Sequence, residues 1–398
     1  MRVLHLIPSI GPVRGGPSEA ALSMVAALRN QGIEAALVST DDNGPGRMEL
    51  PTNRWLVHAE VPVRLFPRWS PPIRALREFG WSPALGQWLT SELRQWDLLH
   101  VHSLFSWPTS RGMAIARRQR VPYLIHCLGH LQPWSLGQSA WRKRLYLNLV
   151  ERRNLNGAAA LQATSPAEAE DFARLRLRPP VLDLPLGVTI PTPLPEVRRR
   201  LQQAYPQLDP QTPKLLFLAR LHPKKRLECL LEALALLQRQ APDRPWQLLI
   251  AGSGEPVYEQ RLRNLAITLG LSSHCHWLGF VSGERKDLLL QGCDWFVLPS
   301  AAENFGVAVA EALAAGTPAI LSPEVGLAPA VAEAGAGRIS ASTPETLART
   351  LQEALSEERA PFAAAARALA AERYSWHAVA NRLAAAYAQI LTQPIHEH

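Results

Sequence analysis

Glu303 and Glu311 frame the stretch of this chain richest in potential chemistry. A polar segment carrying Glu303, Asn304, Phe305 and Gly306 follows Pro299, and an alanine-rich run then leads to Gly316. If the whole stretch is helical, eight residues span about 12 Å. Two carboxylates that far apart cannot share a proton or a bond. The span does match a diphosphate with a sugar on each side, with Glu311 on a ribose diol and Glu303 on a second sugar. The first N–H groups of such a helix, at Asn304, Phe305 and Gly306, would point at an anion bound between them. The competing reading is plainer: an acid favoured by the helix dipole at Glu303 and a solvated one at Glu311.

Other segments carry groups that suit an anion. Arg220, Lys224 and Lys225 follow the predicted strand Leu215 to Ala219, where Arg220 offers a two-pronged fork to phosphate and Lys225 a point charge. Gly252 and Gly254 follow the predicted strand Gln247 to Ala251, in a turn that would let a ligand approach backbone. Gly15, Gly16 and Pro17 precede the first predicted helix without the spacing of a dinucleotide fingerprint or a P-loop. Each of these also reads as an ordinary solvated loop or tight turn. Histidines end two predicted strands, His100 and His102 on one, His126 and His130 on or just beyond the other. No third ligand stands at metal-binding spacing, so no metal site is expected.

What must position these groups is an alternation of strands and helices. A strand over Val3 to Ile7, a glycine loop, a helix ending at Gly32 and a strand over Ile33 to Ser39 make one βαβ unit. Buried strands follow at Leu98 to Val101, Tyr123 to Cys127 and Ala158 to Ala163. Proline crowds Arg178 to Pro195, which suits a linker. After it the alternation restarts, with strands at Leu215 to Ala219, Gln247 to Ala251, His276 to Phe280, Trp295 to Pro299 and Pro318 to Leu321. The pattern predicts an α/β chain of two Rossmann-like, doubly wound domains facing a central cleft. They cover residues 1–188 and 189–375, and an amphipathic helix in 376–398 crosses back to the first.

Composition bounds the rest. The chain has 398 residues, 47% hydrophobic and 19% charged, which excludes disordered, collagen-like and coiled-coil classes. Its net charge of +8 favours anionic ligands. The basic residues are dispersed, with no stripe of interleaved aromatics, so nucleic acid is not an expected partner. Cys127, Cys229, Cys275 and Cys293 match no zinc or disulfide spacing and read as buried thiols of a reducing compartment. The opening apolar run ends at Pro8 and reads as a strand rather than a signal peptide. No run of apolar residues is long enough to span a bilayer. A cytoplasmic protein is expected, with peripheral contact at the inner membrane face open. The basic helix predicted over Trp141 to Arg153 could touch lipid headgroups, although covering the sheet with its apolar stripe is the first expectation.

Together these residues resemble the family 4 retaining glycosyltransferases (glycosyl transferase group 1) of the GT-B fold. The resemblance rests on Glu303 and Glu311 with Asn304, Phe305 and Gly306 between them, Arg220 with Lys225, Gly252 with Gly254, and Gly15 with Gly16. It extends to the Leu186-Gly187-Val188 turn and the Tyr374-Ser375-Trp376 start of the closing helix. It implies hexosyl transfer from a nucleotide-diphosphate sugar, UDP- or GDP-linked, to a saccharide or lipid-linked glycan acceptor, as in polysaccharide biosynthesis. By position, Arg220 and Lys225 would bind the diphosphate, Glu311 the ribose and Glu303 the donor sugar. The backbone of Asn304, Phe305, Gly306 and Gly16 would add contacts.

The chain contains no Asp-x-Asp motif, so fixed cations and helix ends, not a metal or other cofactor, are expected to stabilise the leaving group. Many family members have a histidine before the glycine at Gly129, where this chain has Leu128. His130 is the favoured substitute, with His126 or no histidine as alternatives. His102, His126 and Trp134 are assigned to the acceptor side. A nucleotide-sugar epimerase would need paired carboxylates in the first-half loops, and these are not seen. A non-catalytic sugar-nucleotide binder would lack Glu303.

Overall fold

The apolar run that opens the chain forms β1 (Arg2–Ser9), with Val3, Leu4 and Leu6 fully buried. Burial on both faces is what a parallel strand covered by helices on each side requires. The computed structural model describes residues 1–138 and 140–392. It divides into two units, Met1–Gly187 with the segment from Trp376 onward, and Val188–Ser375.

The first unit adds β2 (Glu34–Thr40), β3 (Trp55–His58), β4 (Val61–Phe66), β5 (Leu98–His102), β6 (Tyr123–His126), β7 (Ala160–Ala163) and β8 (Val181–Asp183). They form one sheet in the order β8-β7-β6-β5-β1-β2-β4-β3. Only β3 and β4 pair antiparallel. Chain order reverses at β1, which pairs with β2 on one side and β5 on the other. Strand β8 corrects the expectation of a plain linker over Arg178 to Pro195. Pro179, Pro180 and Pro185 flank it, and it pairs only with β7, at the sheet edge where neighbouring prolines interrupt no ladder.

Helix Trp376–Thr392 belongs to this unit and packs on helix Gly16–Asn30. Val379, Leu383, Tyr387 and Ile390 recur at helical spacing and are buried. Gly187 is where this helix meets the chain: a Cβ there would lie 2.3 Å from the Trp376 indole, so no larger residue fits.

The second unit carries β9 (Lys214–Leu218), β10 (Gln247–Ala251), β11 (Cys275–Gly279), β12 (Trp295–Leu298), β13 (Ala319–Leu321) and β14 (Gly337–Ile339). All pair parallel, in the order β11-β10-β9-β12-β13-β14. The order reverses at β9, between β10 and β12. In open parallel sheets the carboxyl edge beside such a reversal is where ligands bind. All four cysteines are buried and unpaired. No helix among the described residues is long and apolar enough to cross a membrane.

Candidate active site

The loops leaving β9, β10 and β12 emerge together at the reversal of the second sheet and carry most of the groups singled out in the sequence. After β9 the chain makes a short 3-10 turn, Pro223–Lys225, capped by His222, whose Nδ1 accepts the Lys224 N–H at 3.1 Å. The Lys224 carbonyl accepts the Ala301 N–H at 2.8 Å and so ties this loop to the one after β12. Across that tie the Lys225 ammonium forms an ion pair with Glu303, both side chains about one-fifth exposed. Glu303 itself is fixed through its backbone. Its N–H donates to Glu324 O at 3.0 Å, and its carbonyl accepts the Gly326 N–H at 2.9 Å. Arg220 is exposed, and its guanidinium makes no ion pair among the described residues.

The two glycines after β10 are also required by the packing of the loops themselves. A Cβ at Gly252 would lie 1.9 Å from Ala219 O, and one at Gly254 would lie 2.2 Å from Leu221 O. Leu221 N–H donates to Ser253 O at 2.9 Å across the same seam. Their missing side chains therefore let the β10 loop close against the backbone on either side of Arg220. Through these contacts the glycines hold the backbone on either side of Arg220.

Helix Val307–Ala314 begins later than the sequence pattern indicates. Gly306 is its N-cap in the left-handed region, at φ 98°, which an L side chain rarely adopts. Asn304 and Phe305 therefore lie in the preceding turn, and the first helical N–H groups belong to Val307 and Ala308. The 12 Å estimate, which assumed a continuous helix from Glu303 to Glu311, does not apply. Phe305 turns inward and meets Tyr374 edge-on at 5.6 Å between ring centroids. Glu311 projects from the helix to Lys286 Nζ at 2.8 Å. Lys286, on helix Gly283–Gly292, was not among the residues read from sequence. Two loops separate it from Glu311, and no local motif marks it.

In the first unit, Gly16 opens helix Gly16–Asn30 with open space at its Cα, behind Gly15 as N-cap. Trp134 is exposed, and His130 accepts the Leu104 N–H at 3.2 Å through Nδ1. Leu128 and Gly129 both take positive φ at the bend between β6 and His130. His102 and His126 differ from the acceptor-side expectation, because both are buried within the sheet. In-register pairing of β1, β5 and β6 sets His5 beside His100 and His102 beside His126.

His5 Nδ1 meets His102 Nε2 at 3.0 Å, and His102 Nδ1 meets His126 Nδ1 at 3.3 Å. His100 spans from the Tyr387 hydroxyl at 2.7 Å to Gln162 Oε1 at 2.9 Å. Burial pushes His5, His100 and His102 well below the usual imidazole range and His126 down to about 4. A third imidazole thus does lie close, since ligand nitrogens of His5, His100 and His102 fall within 4.8 Å of one another. Sequence spacing missed it because strand pairing, not local sequence, supplies His5.

Both halves of the chain match known family models. Residues 15–187 match the glycosyl transferase 4-like domain and residues 199–372 match glycosyl transferases group 1. A D-inositol 3-phosphate glycosyltransferase of Jonesia denitrificans is 28% identical over 305 residues, covering 73% of this chain and 71% of that protein. The GDP-mannose:cellobiosyl-diphosphopolyprenol alpha-mannosyltransferase of Komagataeibacter xylinus is 25% identical, covering 100% and 95%.

Among solved structures, Anabaena HepE in complex with UDP and glucose superposes with a TM-score of 0.74 at 21% identity, covering 98% of this chain and 100% of that one. Sucrose-phosphate synthase of Thermosynechococcus elongatus gives 0.75 at 20%, covering 98% and 99%. The two Rossmann-like sheets are those of the GT-B fold. With both halves matched, the chain belongs to the group 1, family 4 glycosyltransferases.

Proposed function

We propose that this glycosyltransferase moves a hexosyl group from a UDP- or GDP-linked donor to a saccharide or lipid-linked glycan acceptor, with retention at the anomeric carbon and no metal. The carrying observation is the Lys225–Glu303 pair beside the unpaired guanidinium of Arg220. Departure of a nucleoside diphosphate develops negative charge, and two cations fixed where it develops lower the barrier without a divalent ion. The diphosphate draws Lys225 away from Glu303, and the freed carboxylate then accepts hydrogen bonds from donor-sugar hydroxyls. Glu311, held by Lys286, faces the ribose diol. The backbone of Asn304, Phe305 and Gly306 adds contacts to the same ligand, and Gly252 and Gly254 hold the Arg220 loop. At the start of its own helix in the first unit, Gly16 offers its N–H to an anion. His130 stands in for the family histidine as a catalytic residue, and Trp134 stays on the acceptor side. His102 and His126 are left out because they are buried.

Similarity supports the donor class. HepE was solved with UDP, and the Komagataeibacter xylinus enzyme is named for GDP-mannose and a diphosphopolyprenol-linked acceptor. Four buried unpaired thiols suit a reducing, cytoplasmic setting. Thermal unfolding with UDP, GDP, ADP and CMP, repeated in EDTA, tests the donor site, because a ligand that binds only the folded state raises the midpoint. A shift with UDP or GDP that survives EDTA is expected. Absence of any shift, or a shift abolished by EDTA, refutes the metal-free donor site. Anomeric configuration of the product, read by NMR, tests retention.

A further inference from the structure

The basic helix of the first unit packs Leu147 and Leu155 into the core over the sheet, but it also carries an apolar stripe that faces away from the sheet. Trp141, Leu145 and Leu149, at positions i, i+4 and i+8, are 68%, 53% and 72% exposed, while Tyr146 and Leu147 supply the inward contacts. Helix Ala140–Tyr146 runs into a wider-pitched turn, Leu147–Glu151, then into Arg152–Asn156. Trp134, on the short helix just before it, is a further exposed indole.

The charges around the stripe have one sign. Arg142, Arg144 and Arg153 are exposed and make no ion pair among the described residues. Arg142 lies over the Trp141 ring at 5.3 Å. Lys143 and Arg152 are turned toward backbone carbonyls of Ser135 and Leu175. The single acid between Pro133 and Arg153 is Glu151, which is fully buried and accepts from Phe105 N–H, Ser110 and Asn154.

Large apolar side chains held in water along a helix, rimmed by arginines with no exposed acid among them, describe a surface helix that lies in a bilayer interface. Tryptophan suits the headgroup level, and arginine is drawn to anionic lipid. We propose that this face, built on Trp141, Leu145 and Leu149 and rimmed by Arg142, Arg144 and Arg153, docks the enzyme onto an anionic lipid bilayer.

Flotation of the full chain with phosphatidylcholine vesicles, with and without about one-third phosphatidylglycerol, tests this at low and high salt. Binding to the anionic vesicles, weakened by salt, is expected. The double variant Arg142→Glu and Arg144→Glu should lower partitioning at least about tenfold. Leu145→Ser with Leu149→Ser should lower it as well. Both should leave the thermal midpoint unchanged, because these side chains are already in water. No binding to anionic vesicles, or binding that both variants leave intact, overturns the proposal. So does a self-association seen by sedimentation that Leu149→Ser abolishes, for then a second copy covers the face. Flotation needs no turnover, so its failure is separable from failure of the glycosyl-transfer reading.

Discussion

Acid should unfold this protein through its buried histidine row. His5, His100, His102 and His126 are at most 2% exposed, and burial lowers each below its ordinary value of 6.5. The neutral form is thus the folded form. The stability is fully present above about pH 6.5 and falls as pH drops and the unfolded chain takes up protons. Since burial holds each folded value below the unfolded one, the cost of the first pH units below neutrality is set by the unfolded value. Each histidine then costs about 0.8 kcal/mol at pH 6 and about 2 kcal/mol at pH 5. Four together cost roughly 3 kcal/mol and then roughly 8 kcal/mol, against a typical total of about 5–15 kcal/mol.

Asp171, pushed up to about 6 by burial, and Glu151, raised by burial, act in the opposite sense and blunt the lower part of the fall. Urea unfolding between about pH 7.5 and 5.5 should therefore show stability falling with the uptake of several protons. His5→Leu should reduce that slope by about one proton. In the wild-type protein, a total uptake on unfolding of less than one proton, a slope under about 1.4 kcal/mol per pH unit, would refute the account of a neutral row.

Lys225→Ala and Glu303→Gln should each lower kcat/KM by about 100-fold or more with the circular dichroism spectrum intact, and near-normal turnover in either would remove these residues from the chemistry. Lys286→Ala should raise the donor KM with a smaller effect on kcat, since it acts through Glu311; an unchanged KM would show that Glu311 needs no such support. Gly254→Ala places a Cβ against Leu221 O and should weaken donor binding by displacing Arg220, whereas Gly137→Ala, which meets nothing within 4 Å, should leave it unchanged. Tyr387→Phe leaves a buried nitrogen of His100 unpaired and should cost about 1–3 kcal/mol in urea unfolding, with no loss arguing that the ring finds another partner.

Strand-end placement made the second unit readable. Arg220, Lys225, Gly252, Gly254 and Glu303 each follow an apolar run that had to be a strand, and parallel pairing gathers those runs at one edge. What stayed hidden depends on partners distant in sequence. Lys286 is an ordinary helical lysine until Glu311 turns toward it, and His5 is one polar residue in an apolar strand until β5 pairs beside it. The glycines after β10 could be read as turn residues, but their need arises from the carbonyls of Ala219 and Leu221. Sequence reading found a basic helix with an apolar stripe over Trp141 to Arg153, but not that Trp141, Leu145 and Leu149 face away from the sheet. The start of the helix after Gly306 was misplaced by three residues, because a left-handed N-cap is a backbone choice that side-chain periodicity does not record.

The first sheet receives its last covering helix from the other end of the chain. Tyr387 closes the hydrogen bonds of His100, and Trp376 fills the space left by Gly187. During synthesis these residues follow Gly187 by about 190 positions, which at roughly 5–20 residues per second is about 10–40 s. Until then the apolar face of helix Gly16–Asn30 that will meet Trp376–Thr392 has no cover. The second unit, whose whole chain has left the ribosome by then, is free to fold first. The first unit is thus completed only after the chain of the second, and its helix Gly16–Asn30 keeps an apolar face in water through that interval.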